Sequence, residues 1–121
     1  MSRKRKRLAT IKRWLEAEFP TKYPIIMRVT KMPVGYRDCL GTYNGPNDSK
    51  YALIRIKFRS PISQQIDVLC HEWAHAILDP DGDGAMRKNG GHTVWGFYPQ
   101  LGRIEVALNE ALEGVLKAKS R

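Results

Sequence analysis

Cys70-His71-Glu72-Trp73-Ala74-His75, the stretch CHEWAH, decides how this chain is read. In an α-helix, positions four apart differ by only about 40° of rotation, so His71 and His75 project from one face, one turn apart. Their ring nitrogens can reach one small ion. Glu72 stands about 100° round from His71. It does not join the same ligand set easily, but it reaches a water beside that ion. This is the division of labour in HExxH: two metal ligands and a general base.

The surroundings support the helix. Ser60-Pro61-Ile62-Ser63 reads as its start, with Ser60 as cap, Pro61 at the first helical position and Ser63 as an alternative cap. Ile66, Leu69, Cys70, Trp73 and Ile77 make one apolar stripe, and His71, His75 and Leu78 lie on another. Cys70 belongs to the apolar stripe, so it reads as core, not as a nucleophile paired with His71. Trp73 also reads as core.

A zinc ion needs a third protein ligand and an open position for water. The chain has three histidines, and the third, His92, is the first candidate. The extended pattern HExxHxxGxxH is not met, because Leu78 stands at its glycine and Asp81 at its last histidine. Asp81, Glu105 and Glu110 remain alternative third ligands. Three histidines favour zinc over harder ions. The segment Asp79-Pro80-Asp81-Gly82-Asp83-Gly84 opens like a calcium loop, but Gly90 stands where a bidentate glutamate is needed, so it reads as an acidic turn.

Upstream, Leu8, Ile11, Trp14, Leu15 and Phe19 recur at helical spacing and predict a helix ending at Pro20. The run YPIIMRVTKM predicts a strand. CLGTYNGPNDSKYALIRIKF predicts a hairpin, with its turn at Asn44-Gly45-Pro46-Asn47-Asp48. Downstream, Leu101, Ile104, Leu108, Leu112 and Val115 predict a closing helix. The expectation is an α+β domain: an N-terminal helix, a small, mostly antiparallel sheet, the HExxH helix and a C-terminal helix.

At 121 residues the chain fits one domain. The division expected is a basic tract over 1–13, running into the first helix, and a single domain over 8–121. The formal net charge is +9, and seven of the 21 basic residues are Arg3, Lys4, Arg5, Lys6, Arg7, Lys12 and Arg13. The other 14 are nearly balanced by 12 acids. Arg3, Lys4, Arg5, Lys6 and Arg7 are therefore the candidate nucleic-acid contacts, binding phosphates in a salt-dependent way. No long apolar run predicts a membrane span. Two cysteines, Cys39 and Cys70, are too few for a disulfide framework, and no secretory signal is evident, so an intracellular, cytoplasmic setting is expected.

His71-Glu72-x-x-His75 followed by His92-Thr93-Val94-Trp95 resembles the SprT-like zincin metalloproteases, most closely the small forms found in phage genomes. The resemblance covers roughly residues 50–105. It implies a minimal zincin fold, Zn2+ held by His71, His75 and His92, Glu72 as catalytic base, and hydrolysis of peptide bonds in a protein or peptide substrate. The larger relatives cut proteins bound to DNA, which suits the basic tract. A phage origin would place the chain in an infected host cell. Two features depart from the family pattern. Thr93 follows the third histidine where glycine is common, and Trp95 lies three positions on where an aromatic is common at four. There is also no cysteine-rich ribbon. The rival reading is a non-catalytic nucleic-acid-binding accessory protein with a structural zinc site.

Overall fold

The run Ala52-Leu53-Ile54-Arg55-Ile56-Lys57 alternates apolar with longer or basic side chains and forms strand β3 (Ala52–Lys57). Ala52, Ile54 and Ile56 are fully buried. In the computed structural model, which describes residues 3–32, 34, 35, 39–46, 50–78 and 96–119, this strand is the centre of a three-stranded sheet. Strands β1 (Ile25–Thr30) and β2 (Gly41–Asn44) flank it in the order β1-β3-β2. The architecture is α+β, as expected.

The pairing is more mixed than the expected mostly antiparallel sheet. β2 and β3 form the predicted antiparallel hairpin, with Gly41 opposite Ile56 and Tyr43 opposite Ile54. β1 and β3 run parallel over six residue pairs, Ile25 opposite Ala52 through Thr30 opposite Lys57. β3, the most apolar strand, takes the place where both edges are paired. Alternation along a single strand reports which face is buried, not which neighbour lies beside it.

Helices cover one face of the sheet. Helix α1 (Arg3–Glu18) buries Leu8, Ile11 and Leu15. Helix α2 (Ile62–Ile77) buries Leu69, Cys70, Trp73, Ala74 and Ala76. The Trp73 indole Nε1 donates to the Phe19 carbonyl at 2.8 Å, which ties the end of α1 to the middle of α2. Helix α3 (Phe97–Lys119) adds Phe97, Ile104 and Leu108, and one hydrophobic cluster joins all three helices with β1 and β3.

Both later helices begin elsewhere than predicted. The N-cap of α2 is Pro61, not Ser60, and no side chain caps the helix. The Ser60 hydroxyl donates instead to the Lys57 carbonyl at 2.8 Å, closing the turn after β3. α3 starts at Phe97 rather than Leu101, because Pro99 falls in its first turn, where a missing N–H costs nothing. Its apolar face is buried at Ile104 and Leu108, but Leu112 is 44% exposed, so the stripe runs out into solvent. No helix among the described residues is long and apolar enough to cross a membrane.

Candidate functional site

α2 is placed by its apolar stripe, which fixes where its polar residues point. With Leu69, Cys70 and Trp73 buried in the core, His71 and His75 stand half-buried on the adjoining face. Their ring centroids are 5.1 Å apart, with planes at 67°. Two imidazoles binding one zinc tetrahedrally through nitrogens at about 2.0–2.1 Å place their ring centres about 5 Å apart. The two rings thus lie side by side, one turn apart on α2, as the spacing predicted.

Phe97, at the first position of α3, lies against both rings. It stacks on His75 with centroids 4.3 Å apart and planes at 27°, and meets His71 edge-on at 4.8 Å and 63°. Phe97 is fully buried. The closing helix therefore contacts the histidine pair through an aromatic ring. Sequence reasoning passed over Phe97; its position beside Tyr98, ahead of the helical stripe, was the available signal. Tyr98 is itself exposed and packs edge-on to Phe97 at 5.3 Å.

Glu72 points another way, toward the sheet. Its side chain is only 7% exposed. Burial pushes its carboxyl up from an ordinary value of 4.5 to about 7, since the charged form loses hydration. The wall beside it is β2. A methyl group added at Gly41 would collide with the Val68 side chain, lie 2.9 Å from the Arg55 carbonyl oxygen and 3.7 Å from Glu72 Cγ. Glycine at this position lets the edge strand approach α2 closely. The strand-interior glycine in Leu40-Gly41-Thr42-Tyr43 was a readable sign of such an approach.

Cys70 is 1% exposed, and its thiol is pushed up to about 12, chiefly by burial and also by the charges of Glu105 and Asp67. A thiol in that state is not a nucleophile at neutral pH, so Cys70 is core, as read from the stripe. Both cysteines are free thiols.

The third ligand is only partly constrained. His92 and Asp81 lie outside the described residues, as do Trp95 and the acidic turn from Asp79. Among the described residues no third histidine, cysteine, aspartate or glutamate joins His71 and His75 in a metal-holding group. Glu105 and Glu110 are described and lie exposed on α3.

The basic residues differ from a simple tail. Arg3, Lys4, Arg5, Lys6 and Arg7 are the first turns of α1 itself, all exposed. Like charges at i and i+4, as in Arg3 and Arg7, repel, and cations at a helix N-terminus oppose the macrodipole. No acidic residue lies in the first turn to offset this. Lys4 is also engaged across the fold: its Nζ donates to the Ser60 carbonyl at 3.2 Å, just ahead of α2.

No protein-family model, no curated protein and no solved structure matches this chain. The likeness to SprT-like zincins therefore rests on its own residues.

Proposed function

We infer that the chain is a zinc-dependent peptidase of the SprT-like kind, with His71, His75 and His92 as metal ligands and Glu72 as general base. The observation that carries this reading is the pairing of two functions on one turn of α2. Two imidazoles stand at metal-sharing separation, and the residue between them in sequence is a buried carboxyl whose proton affinity is raised to about 7.

Zinc, when bound, would supply positive charge that acidifies water and polarises a carbonyl. The remaining work falls to the chain. His71 and His75 would hold the ion, with Phe97 fixing their rings. A carboxylate whose pKa lies near the working pH is well matched to taking a proton from the attacking water and returning it to the leaving amine. Burial against β2 raises the proton affinity of Glu72, and its carboxyl would turn from the sheet toward the histidine side of α2 to meet that water. Among the described residues β2 is paired with β3 alone and so stands at one edge of the sheet, beside α2. The basic start of α1 would bring the enzyme to nucleic-acid-associated proteins.

The test is Glu72→Gln. Glutamine keeps the size and accepts a hydrogen bond but takes no proton at neutral pH. Hydrolysis of an unfolded protein, with and without DNA, should fall by on the order of a hundredfold or more while zinc content stays at one equivalent. His92→Ala should lower zinc affinity. Retained zinc and no cleavage by the wild type under any condition would move the reading to the accessory protein with a structural zinc site.

A further inference from the structure

Alternation along the strands gives the sheet two different faces. Gly41 looks toward Val68 of α2, and Ala52, Ile54 and Ile56 lie in the core. The residues between them look the other way. On that second face the register sets Ile26 beside Leu53, Arg28 beside Arg55 and Thr30 beside Lys57, with Thr42 on the other flank of Arg55. None of these residues is acidic. Ile26 is exposed, and so is Tyr51, which is in line with Leu53 just ahead of β3. Arg28 is exposed and Arg55 half-buried. Two like charges directly opposed on one face repel, which works against the pairing of β1 with β3. Arg55 Nη1 donates to Asn44 Oδ1 at 3.4 Å, a neutral acceptor that leaves both charges in place.

Helix α3 carries the opposite combination. Its inner face buries Phe97, Ile104 and Leu108. On its outer face Tyr98, Val106 and Leu112 stay exposed, Val106 at 59%. Tyr98, Glu105 and Leu112 recur every two turns and stand in one row, with Val106 and Glu113 in a row beside it. Glu105 and Glu113 are both exposed. A Cβ added at Gly102 would meet nothing within 4 Å, so another surface can come close to the backbone there.

We propose that the second face of the sheet takes the outer face of α3 from a second copy of this chain. Each surface exposes apolar side chains, which is unfavourable in water, and each carries the charge that the other lacks. Glu105 and Glu113 answer the opposed Arg28 and Arg55, while Tyr98, Val106 and Leu112 cover Ile26, Leu53 and Tyr51. A helix laid on a sheet is the ordinary way in which such a face is covered. A polyanion would match the arginines but leave the apolar side chains in water. The contact joins unlike surfaces, so it runs head to tail and need not stop at two copies. One helix on three short strands makes a small interface of the transient kind. The proposal depends neither on the metal centre nor on the cations of α1.

Sedimentation velocity tests it on the full chain, treated with nuclease, from low micromolar to millimolar concentration. The weight-average sedimentation coefficient of wild type should rise with concentration at low salt, and rise less at high salt. Replacing Arg28 and Arg55 by glutamate, or Glu105 and Glu113 by lysine, sets like charges against each other and should weaken association by about tenfold or more. Mixed in equal amounts, the two variants restore opposite charges at every contact and should associate like wild type. Val106→Ser leaves all charges in place and should also weaken association, which decides the matter if a charge variant does not fold. A wild type that stays monomeric at millimolar concentration overturns the proposal. So does association that is unchanged in a folded charge variant or in Val106→Ser, or that a mixture of the folded variants does not restore. Association seen only before nuclease treatment would give the arginine face to nucleic acid instead.

Discussion

The ring of Phe97 is stacked on that of His75, 4.3 Å between centroids, and the same ring meets His71 edge-on at 4.8 Å. One side chain of α3 thus packs against both imidazoles that α2 presents. Aromatic packing of this kind restricts ring rotation, and restricting a ligand's rotation favours binding by reducing the freedom lost when the metal arrives.

Phe97→Leu should therefore lower zinc affinity by on the order of tenfold, the scale seen when groups supporting a metal ligand are removed. Leucine keeps most of the buried volume, so the fold should persist. Competition against a chromophoric chelator measures the affinity, and a melting curve in chelator reports the packing loss separately. A lower melting temperature with unchanged zinc affinity would reduce Phe97 to a core residue.

The HExxH pair was legible because helical geometry follows from spacing alone. His71 and His75 had to share a face, and Cys70 and Trp73 had to share the buried one. What the spacing could not supply was the partner surface. Phe97 and Gly41 reach the site from α3 and β2, through contacts between residues far apart in the chain. The parallel placing of β1 was hidden for the same reason. Ser60 read as a cap because its type and place were right, but the helix is capped one residue later, at Pro61, and the Ser60 hydroxyl donates to the Lys57 carbonyl. The five leading cations read as a tract ahead of the helix, since their charge opposes a helix start. Burial of Leu8, Ile11 and Leu15 holds α1 in place behind them.

Gly41→Ala should destabilise the protein by about 1–3 kcal/mol, the usual cost of forcing extra volume into a packed interface. The added methyl meets both the Val68 side chain and the Arg55 backbone oxygen. Val68→Ala in the same chain should restore part of the loss, because it clears only the first collision. Urea unfolding of the two single variants and the double variant measures the coupling. Fully additive losses would show that β2 does not press on α2 at Val68.

Native thiol titration should count one reactive cysteine and denatured titration two. Cys39 is partly exposed, whereas Cys70 is buried with its thiol pushed up to about 12. The thiolate is the reactive form, so Cys70 should be protected both by access and by protonation. Two thiols reacting at similar rates in the folded protein would contradict the packing of α2.

Glu72 makes stability depend on pH in a direction opposite to that of a salt-bridged acid. Its carboxyl holds a proton more tightly when folded, at about 7, than at its ordinary value of 4.5. Below the ordinary value both states are protonated and the contribution is fully present. As pH rises through about 7 the folded protein must bury a charge, and that contribution is lost. With about 1.4 kcal/mol for each pKa unit, the loss is on the order of 3 kcal/mol for the metal-free chain. Metal-free Glu72→Gln should therefore be more stable than wild type at about pH 8, and the gap should close as the pH falls toward 5. Zinc loading should narrow the gap at about pH 8, because a bound cation favours the charged carboxylate beside it. Chemical unfolding across this range, with chelator and with zinc, measures each curve. Parallel curves for wild type and variant in chelator would mean that Glu72 is hydrated in the folded protein and is not the buried base that the site requires.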